Sequence, residues 1–99
     1  MNRITARLAE ARQQGRKALV TYIVCGDPIA DATLTTMHAL VAAGVDIIEL
    51  GVPFSDPMAE GPVIALGHER ALANTTSLRT TLAVVKAFRE TNTNTPVVL

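Results

Sequence analysis

Apolar residues are arranged in two kinds of segment that alternate along the chain. Residues 18–25 (ALVTYIVC) form a nearly continuous apolar run with several β-branched side chains, which is typical of a strand buried on both faces of a parallel sheet. A second such run spans residues 45–50, and a third begins at residues 96–99. The segments between them repeat their apolar residues at helical spacing, so the pattern predicts βα units in a parallel sheet.

Four helices are predicted, over residues 3–14, 31–43 and 62–73 and after Ser77. Glycines follow the first two helices, and Ser77 is a suitable N-cap for the fourth. The residues expected to face the core are Ile4, Leu8 and Ala11 in the first helix, Leu34, Met37 and Val41 in the second, and Leu78, Leu82, Val85 and Phe88 in the fourth.

The predicted order is helix, strand, helix, strand, helix, helix, strand, with no linker or internal boundary. A sheet that ends on its third strand would leave the backbone groups of that strand unpaired, and a closed (β/α)₈ barrel needs about 250 residues. We therefore expect residues 1–99 to be part of a single, larger α/β domain, a TIM barrel. The part present would contain the leading helix, two βα units and the third strand.

Composition narrows the class of protein. Nine basic and nine acidic residues give no net charge, so binding to nucleic acid or to an anionic membrane is not expected. The single cysteine, Cys25, follows an apolar run and is expected to be a packing residue. Residues 1–17 lack the apolar segment of a signal peptide, and no run has membrane-spanning length. These features predict a soluble cytoplasmic protein.

Glu49 is the strongest candidate for chemistry. Ligands of parallel α/β proteins bind beyond the carboxyl ends of the strands, and Glu49 is expected at the end of the second strand. It shares one side of that strand with Ile47, whereas Ile48 and Leu50 lie on the other. A carboxylate held out of water there could serve as a general acid or base. The alternative, an ion pair with a lysine or arginine elsewhere in the barrel, is equally compatible with its position.

The other polar candidates have simpler explanations. Glu60 lies beside the N-terminus of the third predicted helix, where the helix dipole favours a negative charge. Asp56, between two prolines, is typical of a turn. His38 and His68 have no metal-ligand partner at useful spacing and are expected to be surface or packing residues, so no metal site is predicted.

Residues 49–59 (ELGVPFSDPMA), followed by Gly61-Pro62, closely resemble the signature of the tryptophan synthase α subunit. Tyr22 lies where that family has an aromatic residue on its first strand, ahead of a Gly-Asp-Pro loop, here residues 26–28. The leading helix is a further family feature. The resemblance covers essentially the whole chain, which corresponds to roughly the first third of a family member.

The resemblance implies a TIM-barrel lyase of tryptophan biosynthesis that cleaves indole-3-glycerol phosphate to indole and glyceraldehyde 3-phosphate. It implies no metal and no organic cofactor for this subunit. Glu49 matches the catalytic acid/base of the family. Glu60 matches a catalytic carboxylate that accepts a hydrogen bond from the indole N–H, and Tyr22 would line the indole pocket.

The resemblance also implies a partner. Pro53, Phe54 and Asp56 match the loop that contacts the β subunit, a pyridoxal-phosphate enzyme that consumes the indole within an αββα heterotetramer. The phosphate-binding loops of the family lie in the last quarter of the barrel, so the chain alone is not expected to carry out the reaction.

One departure keeps a second function open. Glu60 replaces an aspartate of the family, and the added methylene would push the carboxylate outward by on the order of 1 Å, enough to cost about a hundredfold in rate. The alternative is therefore a truncated or degenerate α-like subunit that only binds or modulates a β subunit. A third reading, another sugar-phosphate barrel such as a ribulose-phosphate or histidine-pathway isomerase, is disfavoured by the loop at residues 53–57.

Overall fold

The computed structural model describes residues 2–54 and 61–99. The order of elements agrees with the sequence prediction, and the strands are shorter than their apolar runs. In chain order the elements are α1 (Arg3–Gln13), β1 (Val20–Val24), α2 (Ala32–Ala42), β2 (Ile47–Gly51), α3 (Gly61–Ala73), α4 (Leu78–Arg89) and β3 (Val97–Val98).

The three strands form one parallel sheet in the order β1-β2-β3. Tyr22 of β1 is the register partner of Glu49 of β2, and Glu49 is in turn the partner of Val98 of β3. The parallel sheet expected from the alternation of strands and helices is therefore confirmed.

The hydrophobic core lies on the side of the sheet that α2 and α4 cover. Ile48 and Leu50 of β2 are 0% and 1% exposed and pack with Met37 of α2 and Phe88 of α4. Cys25 belongs to the same cluster, which confirms its predicted packing role. The alternation of β2, with Ile48 and Leu50 on one face, is as the sequence predicts.

The predicted core face of α4 is partly wrong. Leu78 and Leu82 are 55% and 49% exposed, whereas Thr81 and Phe88 are fully buried. A threonine can occupy this buried stripe because its Oγ1 donates to the carbonyl of Ser77 at 2.7 Å, so the hydroxyl is satisfied within the helix. Ser77 also caps α4 through a capping box with Thr80, as its position suggests.

The predicted core face of α1 is also wrong in part. Ala11 is buried, but Ile4 and Leu8 are 41% and 46% exposed. The helix is held through arginines instead: Arg3 Nε donates to the carbonyl of Thr93 at 2.7 Å. The apolar periodicity of the sequence identifies the row of apolar residues on α1, but long polar side chains attach this helix to the rest of the chain.

Asp46, just before β2, is the polar centre of that attachment. Its carboxylate is fully buried and accepts from Arg7 Nε at 2.9 Å, Arg16 Nη1 at 2.9 Å and the Leu19 N–H at 2.8 Å. Burial alone would raise the pKa of Asp46. The Leu19 hydrogen bond and the two guanidinium groups outweigh burial and hold that pKa below its usual value.

We predict that Asp46→Asn lowers the free energy of unfolding by about 1–3 kcal/mol. Asparagine lacks the charge that faces the two guanidinium groups. Its amide N–H would also point at one of the three groups that donate to the carboxylate. Urea unfolding of a full-length barrel that contains this chain, followed by circular dichroism, measures the change. Glu10→Gln is the matched control, because the Glu10 contact with Arg7 is longer, at 3.5 Å, and more exposed, and a shift of about 0–1 kcal/mol is expected.

The same site sets a pH dependence. Because the pKa of Asp46 is lower in the folded chain than its unfolded value of about 3.9, its stabilisation is present above that pH and is lost as the pH falls below it. In the Asp46→Asn variant the loss of stability below about pH 4 should be smaller than in the unsubstituted chain. Equal acid sensitivity in both proteins would contradict this assignment.

Candidate functional site

The face of the sheet opposite α2 and α4 carries the two most informative side chains. Register partners in a parallel sheet project to the same face, so Tyr22 and Glu49 lie on one face together with Val98. The opposite face carries Ile48 and Leu50, which are buried under the helices. Glu49 is therefore not on the helix-covered wall of the sheet.

Glu49 is exposed in this chain, although it was expected to be held out of water. The physical reason is that the described residues cover this face only in part: Val20 and Val98 are 46% and 39% exposed as well, whereas Ile47 and Val24 are both 7% exposed. Within residues 2–54 and 61–99 no lysine or arginine forms an ion pair with Glu49. The strand also continues to Gly51, so Glu49 lies in its middle rather than at its end.

Tyr22 lies across the end of β2 at Gly51. A Cβ built on Gly51 would lie 2.3 Å from Tyr22 Oη and 2.8 Å from its Cζ, distances that real Cβ atoms do not adopt. The phenol thus occupies the space that any side chain at Gly51 would need. The glycine in the Glu-Leu-Gly segment is required here by close packing with the aromatic residue of β1.

His68 of α3 joins this tyrosine to the segment after β2. The imidazole is buried, with 3% of its surface exposed. Its Nδ1 accepts from the backbone N–H of Phe54 at 3.0 Å, and its Nε2 lies 3.2 Å from Tyr22 Oη. His68 is thus a buried packing residue, one of the two roles expected, but sequence reasoning missed its hydrogen bonds because no local pattern signals contacts across 14 and 46 residues.

A second set of polar contacts ties α3 to the loop that follows β1. Arg70 makes two hydrogen bonds to the carboxylate of Asp27, at 2.6 and 3.2 Å, and the proximity of Asp27 raises the pKa of Arg70. Asn74 Nδ2 donates to the carbonyls of Gly26 and Pro28 at 3.0 and 2.9 Å. These contacts orient α3 on β1, and the sequence signals none of them.

The predicted partner-contact residues differ in exposure. Pro53 is buried, whereas Phe54 is 61% exposed. Asp56 and Glu60, the other two residues predicted for the site, lie outside the described residues. The structure therefore places Tyr22 and Glu49 side by side in the middle of their strands, with the start of the predicted loop just beyond the end of β2.

The remaining candidates are structural. The ring of His38 packs at a tilt against Phe88 with centroids 4.9 Å apart, which confirms its predicted packing role. Across residues 2–54 and 61–99, no group of three or more histidine, cysteine, aspartate or glutamate side chains is placed to hold a metal ion. In the same part of the chain, no helix has both the length and the apolar character needed to cross a membrane.

The model of the family described as tryptophan synthase alpha chain matches residues 8–99. The chain belongs to the tryptophan synthase alpha chain family. It is 61% identical over all 99 residues to the alpha chains of Marinobacter nauticus and Nitrosococcus oceani, and it covers 37% and 36% of those relatives. The chain thus spans little more than a third of the length of the curated family members that it matches.

Solved structures of family members have the same fold. The tryptophan synthase subunit alpha of Legionella pneumophila is 49% identical and superposes with a TM-score of 0.95, over 98% of this chain and 37% of that one. A tryptophan synthase structure from M. tuberculosis, in an aminoacrylate-bound form, is 42% identical with a TM-score of 0.82, over 88% of this chain and 36% of that one. These neighbours are TIM barrels, so the βα units described above are part of a barrel, as predicted.

We predict that Gly51→Ala destabilises the chain by about 1–3 kcal/mol, because the new methyl group would displace the phenol of Tyr22. Adding Tyr22→Phe removes the nearest atom, so the double variant should be less destabilised than the sum of the two single variants. Urea unfolding of the four proteins, each a full-length barrel that contains this chain, gives this coupling. Strict additivity would show that the methyl group and the phenol do not compete for the same space.

Proposed function

We propose that the protein to which this chain belongs cleaves indole-3-glycerol phosphate to indole and glyceraldehyde 3-phosphate, as a tryptophan synthase α-type lyase. The proposal rests on membership of the family together with one structural observation. Glu49 and Tyr22, a carboxylate and an aromatic ring, are register partners on the face of the sheet opposite α2 and α4. In a closed barrel that face becomes the interior, whose C-terminal mouth is where barrel enzymes bind substrate.

A single carboxyl group can carry out both proton transfers that this cleavage requires. The carbon–carbon bond between the indole ring and the glycerol chain breaks, the ring carbon gains a proton, and the adjacent hydroxyl loses its proton as it becomes the aldehyde. The overall change only moves a proton from oxygen to carbon, with no water consumed and no oxidation. Glu49 can serve both transfers, protonating the ring carbon and accepting the hydroxyl proton, because a carboxyl group alternates between acid and base.

Tyr22 and Glu60 would bind the indole. The ring of Tyr22 offers an aromatic surface on the same face as Glu49, and indole is itself an aromatic ligand that stacks on such surfaces. The Glu60 carboxylate would accept from the indole N–H, which can only donate. These roles are extrapolated from the family motif, and no metal or organic cofactor takes part in them.

A tryptophan synthase β subunit is the proposed partner. Phe54 leaves 61% of its side chain exposed beside the buried Pro53, and exposed aromatic side chains next to a rigid backbone are typical of interface anchors. The segment at residues 53–56 would dock on that subunit in the heterotetramer.

A cytoplasmic location of the protein stays a prediction.

We predict that Glu49→Gln reduces cleavage of indole-3-glycerol phosphate by about 10²–10⁴-fold, the typical contribution of general acid–base catalysis. The host is a full-length chimera in which this chain replaces the matching part of the Marinobacter nauticus alpha chain. Release of indole is followed in a steady-state assay.

Glu90→Gln is the control, because Glu90 is an exposed glutamate at the end of α4, and its replacement should leave turnover unchanged. Retained turnover in Glu49→Gln would remove the acid/base assignment. A chimera that binds a β subunit but shows no turnover before any substitution would favour the degenerate-subunit alternative.

We predict that Phe54→Ala in the same chimera weakens binding to a β subunit by about tenfold, corresponding to the loss of roughly 1–2 kcal/mol from an aromatic interface anchor. Isothermal titration calorimetry measures the affinity. Because the side chain is largely exposed, thermal stability should be unaffected. Leu78→Ala, which truncates a similarly exposed side chain at the start of α4, should leave the affinity unchanged.

A further inference from the structure

The two ring nitrogens of His68 have different hydrogen-bond partners. The backbone N–H of Phe54 can only donate, so the Nδ1 that it contacts at 3.0 Å must be unprotonated. The ring proton of the neutral imidazole is then on Nε2, which faces Tyr22 Oη at 3.2 Å. His68 accordingly accepts at one nitrogen and donates at the other.

This arrangement connects three separate elements through one buried ring. Tyr22 belongs to β1, Phe54 follows β2, and His68 belongs to α3. The position of α3 is itself set by the paired hydrogen bonds between Arg70 and Asp27. The close approach of Tyr22 to Gly51 leaves the phenol little space in which to move, so its hydroxyl is constrained both by packing and by the imidazole.

We propose that His68 is a positioning residue for the substrate site. By donating to Tyr22 and accepting from Phe54, it sets the phenol ring of β1 and the segment after β2 in a fixed relation. The inference rests on the proposed function, in which Tyr22 lines the indole pocket. It assigns His68 no proton transfer, because the ring is 3% exposed and both of its nitrogens are engaged within the protein.

Whether KM or kcat changes when Tyr22 is displaced depends on what its ring contacts in the proposed pocket. A ring that only lines the indole pocket contacts the substrate and the transition state alike, so its displacement raises KM and leaves kcat nearly unchanged. A loss of folded protein has the opposite signature, because fewer active molecules lower the apparent kcat at constant KM. The two constants therefore separate positioning from a general structural defect.

The test uses the full-length chimera with the substitutions His68→Leu, His68→Gln and Tyr22→Phe. Leucine removes both hydrogen bonds and preserves an apolar bulk. Glutamine retains one acceptor and one donor on a single amide, which can serve Phe54 and Tyr22 together. We expect His68→Leu to raise KM by about three- to tenfold, the effect of one or two hydrogen bonds, with kcat within about twofold.

His68→Gln should recover most of the lost affinity. In a Tyr22→Phe background, which lacks the phenol oxygen, His68→Leu should raise KM by a smaller factor than in the unsubstituted chimera. An unchanged KM in His68→Leu, or a fall in kcat at constant KM, would overturn the proposal. Full additivity of His68→Leu and Tyr22→Phe would also overturn it.

A spectroscopic measurement keeps this inference separable from the proposed function. In the ¹⁵N NMR spectrum of the chimera, the ring of His68 should show an unprotonated Nδ1 and a protonated Nε2, and the Phe54 amide should lose protection from hydrogen exchange in His68→Leu. A proton on Nδ1 would overturn the hydrogen-bond assignment whatever the activity. If the chimera gives the expected spectra but shows no turnover, the proposed reaction is wrong and the hydrogen-bond assignment stands.

Discussion

The alternation of side chains along β2 is the constraint on which the site depends. Ile48 and Leu50 are drawn into the core beneath α2 and α4, where both are almost completely buried. Because successive side chains of a strand project to opposite faces, burial of these two residues turns Glu49 to the other face. A shift of register by one residue would bury the carboxylate and expose two large apolar side chains, so hydrophobic packing itself sets the position of the acid.

The same constraint places an aromatic ring beside the acid. β1 pairs with β2 in parallel, and Tyr22 is the register partner of Glu49. Gly51 leaves space for the phenol at the end of β2, and His68 reaches its oxygen from α3. A tyrosine, a glycine and a histidine that are far apart in sequence thus act as one packed unit, in which each residue restricts the positions open to the others.

Two polar clusters, one around the buried Asp46 and one around the more exposed Asp27, hold the surrounding elements. Asp46 joins α1 to the start of β2 through two arginines, and Asp27 joins α3 to the loop after β1 through Arg70. Asp46 lies before the first residue of its strand and Asp27 lies after the last residue of its own, so they brace opposite ends of the sheet. The end that carries Asp27 also carries the Tyr22–His68 contact, so both contacts attach α3 at the same end of the sheet.

The sequence by itself determined the order of elements, the parallel sheet, the face on which Glu49 lies and, through the segment at residues 49–62, the family. These features depend on local periodicity and on contiguous motifs, which are readable without coordinates. Tertiary structure alone decided that Thr81 rather than Leu82 is buried, that α1 is attached by arginines, and that His68 joins Tyr22 to Phe54. Each of these depends on where a distant segment lies in space, because a hydrogen bond between residues tens of positions apart leaves no periodic trace in the chain.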